Sequence, residues 1–208
     1  MSSEPQVPRV IRTRARRLDC PPGRCLLIVS VAEQRLTVWR ARAGGWSHRC
    51  LGSCRISTSR FGVGARRDSF RTPLGLHRIA RKLGGGWPPG TVWRGRKPVG
   101  CTWQGQPDAP IAHRIWWLEG LEPGRNRGGD VDSFARFIYV HGVGDETTLG
   151  RPASRGCIHL AARDLLILHE ILPVGTLVWI GAGPLVRPEE TGPFVPPGPP
   201  RPFGRGVL

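Results

Sequence analysis

Two residues in this sequence have side chains suited to nucleophilic chemistry, His141 and Cys157. His141 follows an apolar run, and Cys157 lies in a glycine-containing turn after Ser154. A free thiol has a pKa of about 8.5, so only a few per cent of it is thiolate near neutral pH. A nearby imidazole, a helix N-terminus or a guanidinium stabilises the thiolate. His141, the helix predicted after the turn and Arg155 would supply these groups, so the pattern indicates catalysis by Cys157 with His141 as its base.

The turn itself also suits acyl chemistry. Gly156 leaves room for a carbonyl group to approach Cys157, and the backbone N–H groups around Gly156 and Cys157 are candidate donors to an oxyanion. Catalysis requires the Cys157 sulfur and the nearer nitrogen of His141 to lie within about 4 Å. The alternative interpretation is that the two residues are unrelated, with His141 a satisfied core residue and Cys157 a small buried apolar side chain.

The distribution of apolar residues predicts the elements that position this pair. Only one segment, 161–172, has helical periodicity, and Pro173 and Gly175 end it. We expect a mostly β fold, a β-sandwich or open barrel with one or two flanking helices. Loops 84–103 and 119–132 should border the cleft that holds Cys157. Strands are predicted at 26–31, 35–40, 46–57, 76–80, 111–118, 134–140 and 176–180.

Composition divides the chain into three segments. Residues 1–24 are polar and basic and are predicted to be a poorly ordered tail. Residues 25–181 form one domain, and residues 182–208 are a proline-rich C-terminal tail. No apolar run is long enough to predict a transmembrane segment, and no apolar stretch follows the basic N-terminus, so no signal peptide is visible.

The charge of the chain favours an anionic partner. The net charge is +16, from 31 Lys and Arg against 15 Asp and Glu. Nucleic acid, a membrane surface and an anionic cell-wall polymer are the classes of partner that such a charge attracts. The arginines are scattered and no nucleic-acid-binding motif is present, so we expect no nucleic acid partner.

Six cysteines are present, and four of them have spacings that resemble zinc half-sites. The spacing is less regular than in zinc ribbons and fingers, which favours a disulfide or unpaired buried thiols over a metal site. These four residues are Cys20, Cys25, Cys50 and Cys54.

The pattern His-Gly at 141–142, followed by Ser-x-Gly-Cys-Ile-x-Leu at 154–160, resembles the signature of the L,D-transpeptidase catalytic domain family (YkuD-like). Further similar stretches follow in order over most of 26–180, at 33–36, 72–75, 114–120, 122–128 and 137–142. The resemblance implies a mostly β catalytic domain that acts on peptidoglycan stem peptides in the periplasm or cell envelope. It implies no metal and no organic cofactor.

The resemblance also implies roles for individual residues. Cys157 would attack the L,D-amide carbonyl of a tetrapeptide donor and release the terminal D-alanine, and His141 would donate and accept the proton. An amine of another stem would then resolve the acyl-enzyme. The residues expected to bind substrate are Arg155, His159, Tyr139, Ser154, Arg114 and Asn126.

Three positions depart from the family pattern. Val143 stands where Thr is common, Arg155 stands where His or another polar or small residue is common, and His159 stands where Arg or Asn is usual. The position of His159 is expected to help hold a substrate carboxylate, and a neutral imidazole does this less well than a guanidinium. Arg155 offers a guanidinium nearby.

The sequence therefore leaves several functions open. A transpeptidase, an L,D-carboxypeptidase that uses water as acceptor, and a catalytically decayed peptidoglycan-binding protein all fit the same motif. The acceptor, the partner that orients His141, the export route and the oligomeric state are not determined by these residues.

Overall fold

The computed structural model describes residues 6–42, 45–184 and 192–195. These ranges contain ten strands, one 3₁₀ turn at Gly129–Val131 and two α-helices, α1 (Arg9–Arg17) and α2 (Ala162–Ile171). The strands are β1 (Cys25–Ser30), β2 (Arg35–Ala41), β3 (His48–Ser57), β4 (Gly75–Leu83), β5 (Thr91–Arg94), β6 (Lys97–Cys101), β7 (Ala112–Gly120), β8 (Tyr139–Gly142), β9 (Ile158–Leu160) and β10 (Leu177–Gly181).

All ten strands belong to one sheet, in the order β4-β10-β1-β2-β3-β9-β8-β7-β5-β6. Strand β4 also pairs with β7, so the sheet closes into a barrel from which the β5–β6 hairpin projects. Strands β1 and β10 are parallel, as are β8 and β9. The predicted mostly β fold with flanking helices is confirmed, and the β4–β7 pairing makes the barrel closed.

The barrel has apolar residues on both faces of β1. Leu27 and Val29 belong to the main core with Leu165 and Leu168 of α2. Leu26 and its neighbours on the opposite face pack in a second cluster, which α1 covers. Because both faces are covered by protein, β1 is buried along its whole length, as its continuous apolar run predicted.

Helix α1 lies in a segment that the sequence places in a poorly ordered tail. It buries Ile11 and Ala15 completely against the second cluster, and Arg14 Nη1 lies 2.7 Å from Glu122 Oε2. A nine-residue helix with so many arginines gains little from its own hydrogen bonds, because isolated helices of this length are marginal in water. Docking on the barrel therefore stabilises it, through an apolar stripe of Val7, Ile11, Ala15 and Leu18 at helical spacing that the sequence analysis did not recognise.

Part of the predicted proline-rich C-terminal tail also packs on the barrel. Phe194 is buried in the main core, and its N–H donates to the carbonyl of Ser53 at 3.0 Å. Gly52, with a φ of 132°, allows this approach, because a Cβ there would lie 2.5 Å from the Phe194 Cα. The rest of the tail, 185–191 and 196–208, lies outside the described residues.

Candidate active site

The two parallel strands β8 and β9 place the predicted site residues on one face of the sheet. Side chains alternate between faces along a strand. Val140 and Ile158 are fully buried in the main core. Their neighbours Tyr139, His141 and His159, together with Cys157 just before β9, therefore lie on the opposite face. The register pairs His141 with His159, so residues distant in sequence become neighbours.

His141 is held as a neutral imidazole with one defined tautomer. Its side chain is 2% exposed, and Nδ1 lies 2.8 Å from the carbonyl oxygen of Gly142. A carbonyl only accepts hydrogen bonds, so Nδ1 carries the proton and Nε2 has a free lone pair. Burial lowers the pKa of His141 to about 4, despite the opposing effect of the Gly142 hydrogen bond. His141 is thus an unprotonated base at neutral pH, and the Gly142 carbonyl is the partner that orients it.

Cys157 is half-buried and its thiol is neutral in this state. Burial raises the pKa of Cys157 to about 11, while the Tyr139 backbone hydrogen bond and the charge of Arg136 oppose the rise. The thiol donates to the carbonyl of Phe137 at 3.5 Å, and no hydrogen bond joins it to His141 among the described residues. The close thiol–imidazole contact that catalysis requires therefore stays a prediction.

The positive charge near Cys157 comes from a residue that the sequence analysis missed. Helix α2 begins only after β9, so its N-terminus does not abut Cys157. Arg155 is exposed, with its guanidinium 5.9 Å from the centre of the Phe70 ring. Arg136 lies close enough for its charge to lower the pKa of the Cys157 thiol. Among so many scattered arginines, only proximity in the fold distinguishes this one.

The turn before Cys157 is fixed by Ser154 and Gly156. The Ser154 Oγ donates to the Cys157 carbonyl at 2.6 Å and accepts the N–H of Gly156 at 3.2 Å. Gly156 has a φ of 112°, which favours glycine, and Thr72 Oγ1 donates to its carbonyl at 3.1 Å. These contacts give Ser154 and Gly156 a role in shaping the turn.

The N–H of Gly156 is therefore occupied, in contrast to the oxyanion role expected from the sequence. The N–H of Cys157 has no hydrogen-bond acceptor within the described part of the chain. A preorganised, unpaired backbone donor at the nucleophile suits a developing oxyanion. The Cys157 amide is thus the better candidate.

His159 lies next to His141 but carries no charge. The two ring centres are 4.9 Å apart, and the His159 ring is half-buried. Burial, with a smaller effect of His141, lowers the pKa of His159 to about 3. His159 is neutral at physiological pH, so it offers a carboxylate only a neutral hydrogen bond.

An aromatic wall stands beside the pair, formed by Trp117, Phe134, Phe137 and Tyr139. The Trp117 and Phe134 rings stack with centres 4.0 Å apart, and Tyr139 meets Trp117 edge-on at 5.5 Å. Arg96, at the tip of the β5–β6 hairpin, lies 5.0 Å from the ring centres of Trp117 and Phe137. Its Nη1 also donates to the Tyr139 hydroxyl at 3.4 Å.

The hairpin contact shows that loop 84–103 reaches the site, as predicted. Loop 119–132 approaches it only at its end, where the Asp130 carbonyl accepts the N–H of Arg67 at 2.6 Å. The beginning of that loop is tied to α1 through Glu122. The first loop therefore borders the site more closely than the second.

Two of the predicted substrate-binding residues lie elsewhere. Arg114 is buried beside Gly84, and its Nη1 donates to the carbonyl of His113 at 3.0 Å. Asn126 is 0% exposed, and its amide group bonds the Leu74 and Leu76 carbonyls and the Glu122 N–H at 2.9–3.1 Å. These contacts join loop 119–132 to β4. The sequence expectation that Arg114 and Asn126 bind substrate is not supported by their position.

The structural role of Asn126 predicts a stability effect. We expect Asn126→Ala to lower the free energy of unfolding by about 2–4 kcal/mol, because it leaves buried backbone groups without partners. Urea denaturation measures the change. Arg125→Ala is the matched control, since its ion pair with Glu122 is partly exposed and contributes about 1 kcal/mol or less. If the Asn126→Ala protein is as stable as the wild type but has a raised KM for peptide, a role of Asn126 in substrate binding is favoured instead.

The four cysteines with zinc-like spacings are free thiols. Cys25 and Cys54 are buried, and Cys20 and Cys50 are partly exposed. Across residues 6–42, 45–184 and 192–195, no three His, Cys, Asp or Glu side chains are grouped closely enough to hold a metal ion. The structure agrees with the interpretation of unpaired thiols.

The structure is a closed β barrel with a neutral, oriented His141 on β8 and Cys157 directly before the neighbouring strand β9. Residues 25–180 match the sequence profile of the L,D-transpeptidase catalytic domain (YkuD). This range is most of the chain, and the chain belongs to that family.

Solved structures with a similar fold come from several bacteria. Bd1075 of Bdellovibrio bacteriovorus is 15% identical, with a TM-score of 0.51 over 79% of this chain and 49% of that protein. Pgp2 of Campylobacter jejuni, described as a helical cell shape determining protein, is 16% identical, with a TM-score of 0.52 over 80% of this chain and 50% of that protein. The chain thus spans about half the length of these two proteins.

A comparison with curated protein sequences finds no significant match. Neither helix in the described residues is long and apolar enough to cross a membrane.

Proposed function

We propose that this protein is a peptidoglycan L,D-transpeptidase that forms an acyl-enzyme on Cys157 and transfers it to an amine. The family membership supports this class of activity. The observation that carries the proposal is the neutral, oriented His141 on the strand beside Cys157, with its Nε2 lone pair free. A general base must be unprotonated at the working pH, and His141 meets that condition.

In the first half-reaction, the Cys157 sulfur attacks the carbonyl carbon of the L,D-amide in a tetrapeptide stem. His141 Nε2 takes the thiol proton as the C–S bond forms, and the Cys157 N–H donates to the oxyanion. The imidazolium then gives this proton to the departing amine of D-alanine as the C–N bond breaks, which leaves a thioester on Cys157.

In the second half-reaction, an amine of another stem attacks the thioester carbonyl. His141 takes a proton from this amine and returns it to the Cys157 sulfur as the C–S bond breaks. The resting pKa values, high for the thiol and low for the imidazole, make a preformed ion pair unfavourable. Proton transfer must therefore accompany attack on the carbonyl.

The substrate class also fits the charge of the protein. Peptidoglycan stems carry carboxylates, and a net charge of +16 attracts such a polymer. We place the protein in the periplasm or cell envelope on the basis of the family. Arg155, His159 and Tyr139, which lie around Cys157, remain the proposed substrate contacts.

Incubation with a disaccharide-tetrapeptide tests the proposal, with the products identified by mass. We expect a cross-linked dimer and released D-alanine, since each transfer joins one donor to one acceptor. Cys101→Ser, a change in the β5–β6 hairpin, is the control and should give the same products. Tripeptide without dimer would identify water as the acceptor and a carboxypeptidase. Absence of any product would contradict the proposal and favour a wall-binding protein that has lost catalysis.

A further inference from the structure

A cavity with a strong positive charge opens beside Cys157. Its volume is about 290 Å³, and three arginines and one aspartate are among its lining residues. The charged lining residues are Arg67, Asp68, Arg136 and Arg155, and the aromatic ones are Phe70 and Phe137. The excess of guanidinium groups favours an anionic ligand.

Arg136 has unused hydrogen-bonding capacity in this cavity. Its Nη2 donates to the carbonyl of Arg71 at 2.9 Å and approaches Ser69 Oγ at 3.5 Å. Its Nε and Nη1 are buried and have no partner among the described residues. A buried charged donor without a partner is costly, so an acceptor that reaches these two groups would be stabilising.

The cavity adjoins the nucleophile. The carbonyl of Phe137, a lining residue, accepts a hydrogen bond from the Cys157 thiol. Gly156 sits against the carbonyls of Phe70 and Arg71, where a Cβ would approach within 3.3–3.5 Å. A ligand group in the cavity therefore lies next to the reacting carbonyl of a peptide bound at Cys157.

His159 carries no charge, so the charged donors near Cys157 are the guanidinium groups of this cavity. A bound carboxylate needs a charged donor for strong recognition, and the guanidinium of Arg136 provides one where His159 does not. Asp68, on the same cavity wall, carries an opposing charge that acts on Arg136, but the three arginines outnumber it.

We propose that this cavity binds a carboxylate of the donor peptide and that Arg136 is the side chain that holds it. The proposal rests on the proposed transpeptidase function and adds a specificity-determining residue to it. Two carboxylates of a stem are close to the scissile amide, that of the terminal D-alanine and that on the side chain of the third residue. Their recognition by a guanidinium is chemically the same.

Three synthetic tetrapeptides distinguish these sources, one with both carboxylates free, one with a terminal amide and one with a side-chain amide. We expect the wild type to have a kcat/KM about 10- to 100-fold lower for one of the two amidated peptides than for the free peptide, because a charge-assisted hydrogen bond is lost. Arg136→Gln should lower kcat/KM for the free peptide by a similar factor. This variant should then have the same kcat/KM for the free peptide and for the amide that the wild type disfavours. Arg136→Lys should recover part of the preference, as a point charge without the planar fork.

Arg163→Gln is the matched control, since Arg163 is exposed on α2 and does not line the cavity. It should keep the wild-type preference. An Arg136→Gln protein that retains the full preference for the free carboxylate overturns the proposal. So does a wild type that turns over all three peptides equally.

A binding measurement separates this proposal from the question of catalysis. Calorimetry with Cys157→Ser protein compares the free peptide with the two amides without turnover. We expect tighter binding of the free peptide, and loss of that difference when Arg136→Gln is added. If the wild type turns over no peptide while this binding difference persists, the transpeptidase function fails and the carboxylate site stands. Equal binding of all three peptides refutes the site.

Discussion

The Cys157→Ser protein should show no acyl transfer, a loss of at least about a thousandfold, while it unfolds at the wild-type temperature. The change replaces one atom in a half-buried side chain, so packing is retained. A hydroxyl is far harder to deprotonate than a thiol, and the pKa of His141, about 4, makes this imidazole a weak base.

A carbapenem is the probe for this prediction, because the family resemblance suggests this class of β-lactam as an acylating inhibitor. Intact-protein mass should show one adduct on the wild type and none on Cys157→Ser. Cys20→Ser and Cys101→Ser are the controls and should take up the adduct, since neither thiol lies beside His141. An adduct on Cys157→Ser would mean that another residue is the nucleophile.

Removal of the base should also change the pH dependence of the reaction. We expect His141→Ala to lower kcat/KM by about a hundredfold to ten-thousandfold at neutral pH, as is typical of a general base. In the wild type, burial lowers the pKa of His141 to about 4, and the base is active only when unprotonated. Activity should therefore fall on the acid side at a pH near 4, well below the ordinary histidine pKa of about 6.5.

In the His141→Ala protein this acid limb should disappear. The remaining activity should rise as pH increases towards the Cys157 pKa of about 11, because attack then depends on the spontaneous thiolate. Measurement of kcat/KM from about pH 3 to about pH 10 records both profiles. His48→Gln, a change in a histidine that bonds the Gly23 carbonyl away from the site, should keep the wild-type profile. A His141→Ala profile that matches the wild type would exclude His141 as the base.

Local sequence pattern was sufficient for much of the fold. Strands β1, β2, β4, β7 and β10 lie at or near their predicted positions because alternating or continuous apolar runs bounded by turn residues encode them. Helix α2 begins and ends within a residue of its prediction, since its apolar spacing is helical and Pro173 follows it. The segment around the hairpin β5–β6 was predicted as a loop, because its glycines and prolines resemble those of irregular structure.

The order of α1 and of Phe194 depends on contacts with distant parts of the chain. Ile11 and Ala15 are the only buried residues of α1, so its apolar stripe is narrow, and burial against the second cluster, which includes residues of β1, β4 and β10, makes the helix stable. Phe194 likewise is ordered by its place in the core beside β3. In both cases the decisive partner lies far away in the chain.

The candidate site shows the same division. The sequence by itself determined which residues are the candidates for the chemistry, because a histidine after a strand and a cysteine in a glycine turn are encoded within short segments. Only the tertiary structure decided the protonation of His141 and Cys157 and the hydrogen bond that occupies the Gly156 N–H. It also places Asn126 in contacts with the Leu74 and Leu76 carbonyls and brings Arg136, of the many arginines, close to Cys157. These properties depend on burial and on groups brought together by the barrel, and burial is a property of the folded molecule that a linear pattern does not contain.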